Sequence, residues 1–240
     1  MSKLIGNSVK IILLLSLTAS AQADVSANIN VTDNYLYRGI SNSDGKVALQ
    51  GGIDYYNDFG LYGGIWATTM DFKYPDGNPN YEFDMYGGIT GEIALINWDL
   101  GFLRFTYPGG ASKYKLDSNE FHLALSHTFD TVSVNTKYHY SPDYSGAGHS
   151  QYIEGNIDIA LPYKFNLMLH TGYQRFANNE WYLLPDYSDW RIAVGRNIAG
   201  FNVELGWTDT NVSSHQACFG GTDWCDSTIS IDIRKNFQLF

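Results

Sequence analysis

The most constraining feature of this chain is an alternation of apolar and polar residues in about a dozen short segments, whose connections run short, long, short, long. Val132, Val134, Thr136, Tyr138 and Tyr140 interleave with Ser133, Asn135, Lys137 and His139. Phe201, Val203, Leu205 and Trp207 interleave with Asn202, Glu204, Gly206 and Thr208. A period of two with one apolar and one polar face describes a strand wetted on one side. Soluble sandwiches and membrane barrels share that period. The loop rhythm separates them, because outer-membrane barrels have tight turns at one end and long loops at the other. A sandwich has no reason to sort its connections this way.

Twelve strands are predicted, over residues 25–37, 47–56, 61–72, 81–93, 96–107, 119–127, 132–140, 152–161, 165–175, 190–196, 201–208 and 228–237. The links at 57–60, 93–96, 128–131, 161–164 and 197–200 are short; those at 37–46, 73–80, 108–118, 141–150, 177–188 and 209–227 are long and polar. An even strand number with both termini on the short-turn side is what barrel closure requires. The expected fold class is therefore all-β: a transmembrane antiparallel up-and-down β-barrel of about 12 strands. Two phases stay open. In the third strand Ile65 and Trp66 compete for the outer face. In the last, the series Ile229, Ile231, Ile233 runs into Phe237 and not Phe240, so either Phe237 ends the strand or a bulge shifts the phase.

The N-terminus reads as a secretory signal. Lys3 and Lys10 supply the positive region, Val9 to Leu17 an apolar run too short to span a bilayer, and Ala21-Gln22-Ala23 a small-x-small cleavage site. The expected organisation is a cleaved signal over 1–23 and a barrel over 24–240, placed in the outer membrane of a Gram-negative bacterium. No later run is long and apolar enough for a transmembrane helix. Aromatic content is 15%, with 18 Tyr and 6 Trp, more than a core needs and suited to the girdles of a membrane barrel. Net charge is −10, and −12 once Lys3 and Lys10 are removed, which excludes nucleic acid as a partner and favours cations in any aqueous path.

Turning the polar face of each strand inward places Asp54, Glu82, Asp84, Asp99, Glu120, Glu154, Asp158, Glu204 and Asp232 in the lumen, with Arg38, Lys137, Arg191 and Arg234. These are the pore-lining candidates. They describe either a narrow cation-preferring channel or a small barrel plugged by charges that pair across it. Arg38 is either a constriction charge or an interfacial arginine bonded to loop carbonyls. Arg104 shares the parity of Leu100 and Phe102, so it faces either lipopolysaccharide phosphates near the rim or, across a bulge, the interior.

Asn34-Tyr35-Leu36-Tyr37-Arg38-Gly39-Ile40-Ser41, Gln50-Gly51-Gly52-Ile53-Asp54-Tyr55, Tyr62-Gly63-Gly64-Ile65-Trp66 and a mid-chain Tyr107-Pro108-Gly109 resemble corresponding elements of the TorF family of porins. The resemblance implies an outer-membrane barrel in a Gram-negative bacterium and no particular substrate. It does not extend to the loop with the two cysteines.

Cys218 and Cys225 share that longest loop, and on an oxidising export route they are expected to pair as a disulfide. With only His215 nearby they fall short of a metal site, and no cofactor is expected. An enzyme is not expected either: no Gly-x-Ser-x-Gly element occurs, His127 lies at a short turn, and His122, His139 and His170 point inward. Tyr140, Tyr144, Trp181, Tyr182, Tyr187 and Trp224 lie in or beside long loops, as a glycan- or protein-binding surface or as the upper girdle. The expected activity is passive diffusion of small hydrophilic solutes or ions, cations preferred. The alternative is a non-conducting barrel whose loops bind a partner or surface. Lipid and lipopolysaccharide are the expected surroundings, and assembly as a homo-oligomer is left open.

Overall fold

The computed structural model describes residues 23–72, 79–110, 114–212 and 217–240. The signal run, His215 and parts of three long loops lie outside these. The strands are β1 (Ala23–Thr32), β2 (Leu36–Tyr37), β3 (Ile40–Ser41), β4 (Ala48–Asn57), β5 (Leu61–Thr69), β6 (Tyr81–Ile93) and β7 (Ile96–Thr106). They continue as β8 (Ser118–Phe129), β9 (Val132–Ser141), β10 (Ser150–Leu161), β11 (Phe165–Phe176), β12 (Tyr187–Ile198), β13 (Phe201–Thr210) and β14 (Thr228–Gln238). One helical turn, α1 (Asn179–Tyr182), sits in a long loop. All strands except β2 and β3 form one closed barrel of twelve, in which each pairs antiparallel with its neighbours in sequence and β1 closes against β14.

Period-two patterning decides the faces. Ile29, Ile53, Met85, Leu123, Ile153, Ile192, Leu205 and Ile231 are exposed on the outside, a belt whose burial in hydrocarbon is as favourable as burial in a core. Exposed aromatics stand at both margins: Phe59, Phe129, Tyr163 and Phe201 at the short-turn end, Tyr81, Phe121, Tyr140 and Tyr173 at the long-loop end. Both open phases resolve. Ile65 faces out and Trp66 lines the interior. The β1–β14 register runs without a break from Thr32↔Asp232 to Ser26↔Gln238, so no bulge occurs and Phe237 stays in phase on the outer face. Arg104 also keeps its outward phase, with Asp117 3.1 Å away.

The predicted first strand is too long. Its ladder ends at Thr32, and the following chain folds into the barrel as the β2–β3 hairpin, called L1 below. The two-residue turn Arg38-Gly39 has φ of 49° and 80°, the left-handed pair that hairpins with right-twisted strands require. The predicted tenth strand is too short, since its ladder begins at Tyr187 and not at Trp190.

At the long-loop end the loops pack on one another. Ile40, Phe72, Tyr144, Leu184, Tyr187 and Trp224 share a buried apolar cluster with Cys218 and Cys225, which are disulfide-bonded. Phe72 and Trp224 have ring centroids 4.5 Å apart. Three of the loop aromatics, Tyr144, Tyr187 and Trp224, are thus interior to this cap rather than free for a partner, because a long loop with several large apolar residues buries them against its neighbours.

Candidate functional site

The lumen is buried at one end and wet at the other. Along β10 the inward residues pass from buried Tyr152 through half-buried Glu154 and Asn156 to exposed Asp158. Along β12 they pass from buried Asp189 to exposed Asn197, and along β14 from buried Ser230 to exposed Arg234 and Asn236. Among the described residues the barrel is a cup, closed beneath the loop cap and open at the short turns.

L1 makes the closure. Its only charged side chain, Arg38, is 9% exposed and reaches across the lumen to Glu120, donating to both carboxylate oxygens at 2.8 and 2.9 Å and to Gln174 Oε1 at 3.0 Å. The guanidinium also lies 4.2 Å from the Tyr152 ring centroid, and Tyr187 donates its hydroxyl to the Arg38 carbonyl. Arg38 is therefore an interior clamp and not an interfacial arginine satisfied by loop carbonyls. Tyr35 donates to Glu82 at 3.2 Å, and burial pushes the hydroxyls of Tyr35 and Tyr37 well above the ordinary tyrosine range. Arg38 is consequently the one charge the hairpin brings in.

Behind the clamp runs a chain of carboxylates and imidazoles. His139 lies between Glu120 (2.6 Å) and Glu154 (3.1 Å). His170 lies between Asn156 (2.7 Å) and Asp189 (2.8 Å), with Glu154 at 3.6 Å. Tyr152 donates to Asp189 at 3.0 Å. A second cluster surrounds Arg191, which binds Glu204 at 2.9 Å and Asp232 at 3.3 Å along with the hydroxyls of Thr208 and Ser230.

Twelve of the thirteen predicted lumen residues have the inward phase of barrel strands, Arg38 enters on L1 instead, and together they do not form one site. A cavity of about 720 Å³ is lined by Arg38, Asp84, Glu154, Arg191, Glu204, Asp232 and Arg234. Glu82 and Glu120 are each 1% exposed, Glu82 bonded to Tyr35 just before L1 and Glu120 to Arg38 of L1. Asp99 accepts from Tyr62 at 2.7 Å and contacts His122 at 3.0 Å. Asp54 accepts from Asn28 and Tyr86. Lys137 stands opposite Glu154 in the register, and Asp158 stands at the wet end. Sequence reasoning passed over Gln174, Asp189 and the paired roles of His139 and His170. Strand parity placed the histidines inward, which was the available signal, whereas Asp189 was hidden by placing the strand start at Trp190.

No group of three or more His, Cys, Asp or Glu among the described residues has the geometry to hold a metal ion. The structure otherwise matches solved outer-membrane barrels. The NanC porin aligns with a TM-score of 0.58 at 11% identity, covering 89% of this chain and 100% of that one. The KdgM porin, solved in complex with disordered oligogalacturonate, aligns at 0.57 and 8% identity, covering 89% and 99%. The COG4313 outer membrane channel from Pseudomonas putida F1 aligns at 0.52 and 8%, covering 90% and 96%. At such identities the likeness is one of fold. No curated protein matches the sequence. A family model described as "Bacterial protein of unknown function (Gcw_chp)" matches residues 16–237. The chain belongs to that family. The TorF name is not what this match carries; the barrel that the resemblance implied is present.

Proposed function

We propose that this member of the Gcw_chp family is an outer-membrane porin for small hydrophilic solutes or ions, with cations preferred. The observation that carries the proposal is the charged cavity under L1. Its lining holds five carboxylates (Asp84, Glu154, Asp189, Glu204, Asp232) against three guanidinium groups (Arg38, Arg191, Arg234). A narrow aqueous path with excess negative charge lowers the free energy of cations and raises that of anions. The three porins and channels with the same fold support a conducting role. KdgM is described with an anionic oligosaccharide, and the acidic lining here favours the opposite sign of solute. L1 reaches across the lumen to Glu120 in this conformation, and on this reading parting of the Arg38–Glu120 contact widens the path.

The test is the reversal potential of the refolded chain in a planar bilayer under a KCl gradient. Cation selectivity is expected. The double variant Glu204→Gln/Asp232→Asn leaves Arg191 uncompensated and should move the reversal potential toward the anion side. A wild-type channel selective for chloride would contradict the assignment.

The alternative, a non-conducting barrel that binds a partner through its loops, draws less support. Three of the six loop aromatics that would form its surface, Tyr144, Tyr187 and Trp224, are buried in the cap.

A further inference from the structure

Most lumen carboxylates have a donor: Glu120 has Arg38, Asp99 has Tyr62, Asp189 has Tyr152, and Glu204 and Asp232 have Arg191. Asp84 has none. It is 6% exposed, lines the cavity, and its Oδ1 is buried without a hydrogen-bond partner. Leaving a carboxylate so is costly, and such a group calls for a donor from outside the chain. Asn30 repeats the demand. Its amide nitrogen donates to Gln50 and Asp232, while its carbonyl oxygen, in the wall of the same cavity, has no partner.

The surroundings of Asp84 say what kind of donor fits. Trp66 is its direct cross-strand partner and lines the same cavity, so the two side chains rise side by side from neighbouring strands. The Tyr35 ring lies 5.8 Å from the Trp66 ring. Leu103 and Phe105 complete an apolar wall. A hydrated metal ion wants six or more oxygens, and this corner offers aromatic faces and alkyl carbon instead. An alkylammonium suits it: the –NH3+ group donates to Asp84, the ring faces attract the charge, and the hydrocarbon lies against Leu103 and Phe105.

The geometry points to a binding site for a primary alkylammonium at Asp84 and Trp66, immediately beneath L1. It deepens the porin proposal and rests on it for its place in transport, since solutes of this class would pause there on the way through. Binding itself is measurable without conduction. Calorimetric titration of the full folded chain in detergent at pH 7 with butylammonium chloride should show saturable binding, and 1-butanol or sodium butyrate should show none.

Asp84→Asn keeps the shape and removes the charge, and it should weaken butylammonium by about tenfold or more, as loss of a charge-assisted bond predicts. Trp66→Leu should weaken it severalfold with the barrel's circular dichroism unchanged. Absence of binding by the wild-type chain, equal affinity in Asp84→Asn, or displacement by KCl at equal concentration would each overturn the site. Cation-selective conductance in KCl alongside no butylammonium binding would remove the site and leave the porin. Butylammonium binding to a barrel that never conducts would do the reverse.

Discussion

Arg38 shows how one side chain links loop to wall. Its partners stand 82 and 136 residues away in sequence, on β8 and β11, so no local pattern announces them. What was legible was an Arg-Gly pair after aromatics, where the first strand meets its loop. What was not legible was the direction of the loop, which depends on the shape of the space inside a closed sheet. Removing one partner of a buried ion pair strands the other, commonly at about 3–5 kcal/mol. His139 still serves Glu120, so Arg38→Ala should cost less, about 2–3 kcal/mol, read as a lowered urea midpoint in detergent. In a cycle with Glu120→Ala the two substitutions should be coupled by at least about 1 kcal/mol. Strict additivity would mean that the pair does not hold the hairpin.

At the scale of elements, strands were readable and loops were not. The strand faces follow from period two, and the short turn at Ala94-Leu95 was readable from spacing alone although both residues adopt left-handed φ of 49° and 70° with no glycine. L1 has a stricter requirement. Gly39 has φ of 80°, and a Cβ there would stand 2.6 Å from Asp189 Cβ and 2.8 Å from Thr210 Cγ2. Gly39→Val therefore cannot keep L1 seated against β12 and β13. Trypsin reports this directly: the bond after buried Arg38 should resist cleavage in the wild-type chain and be cut readily in Gly39→Val. Equal protection in both would show that L1 tolerates the side chain where it is. The cap was illegible for a related reason. The sequence offered the loop aromatics as a partner surface or an upper girdle, yet Tyr144, Tyr187 and Trp224 come from three distant parts of the chain and meet only when the barrel is closed.

The whole molecule combines an apolar outer belt, an acidic interior and a plug made from its own first loop. The belt and the count of strands were legible because every strand repeats the same alternation and closure needs an even number. The charge balance of the interior was legible from parity. Which charges are sealed and which line open space was not, because Tyr35 and Arg38 bond Glu82 and Glu120 from the first connection while Glu154, Glu204 and Asp232 stay on the cavity wall. The most direct test of a cation-preferring channel closed by L1 compares the wild-type chain with one in which residues 36–41 are replaced by two glycines. Asn42 already donates to the Tyr35 carbonyl at 2.7 Å, so the ends of the excised hairpin are adjacent. In a planar bilayer under a KCl gradient, the wild-type chain should be mostly closed with brief cation-selective openings. The shortened chain should be steadily open with the same sign of selectivity. A folded shortened barrel that stays silent, or one that selects chloride, would contradict the account.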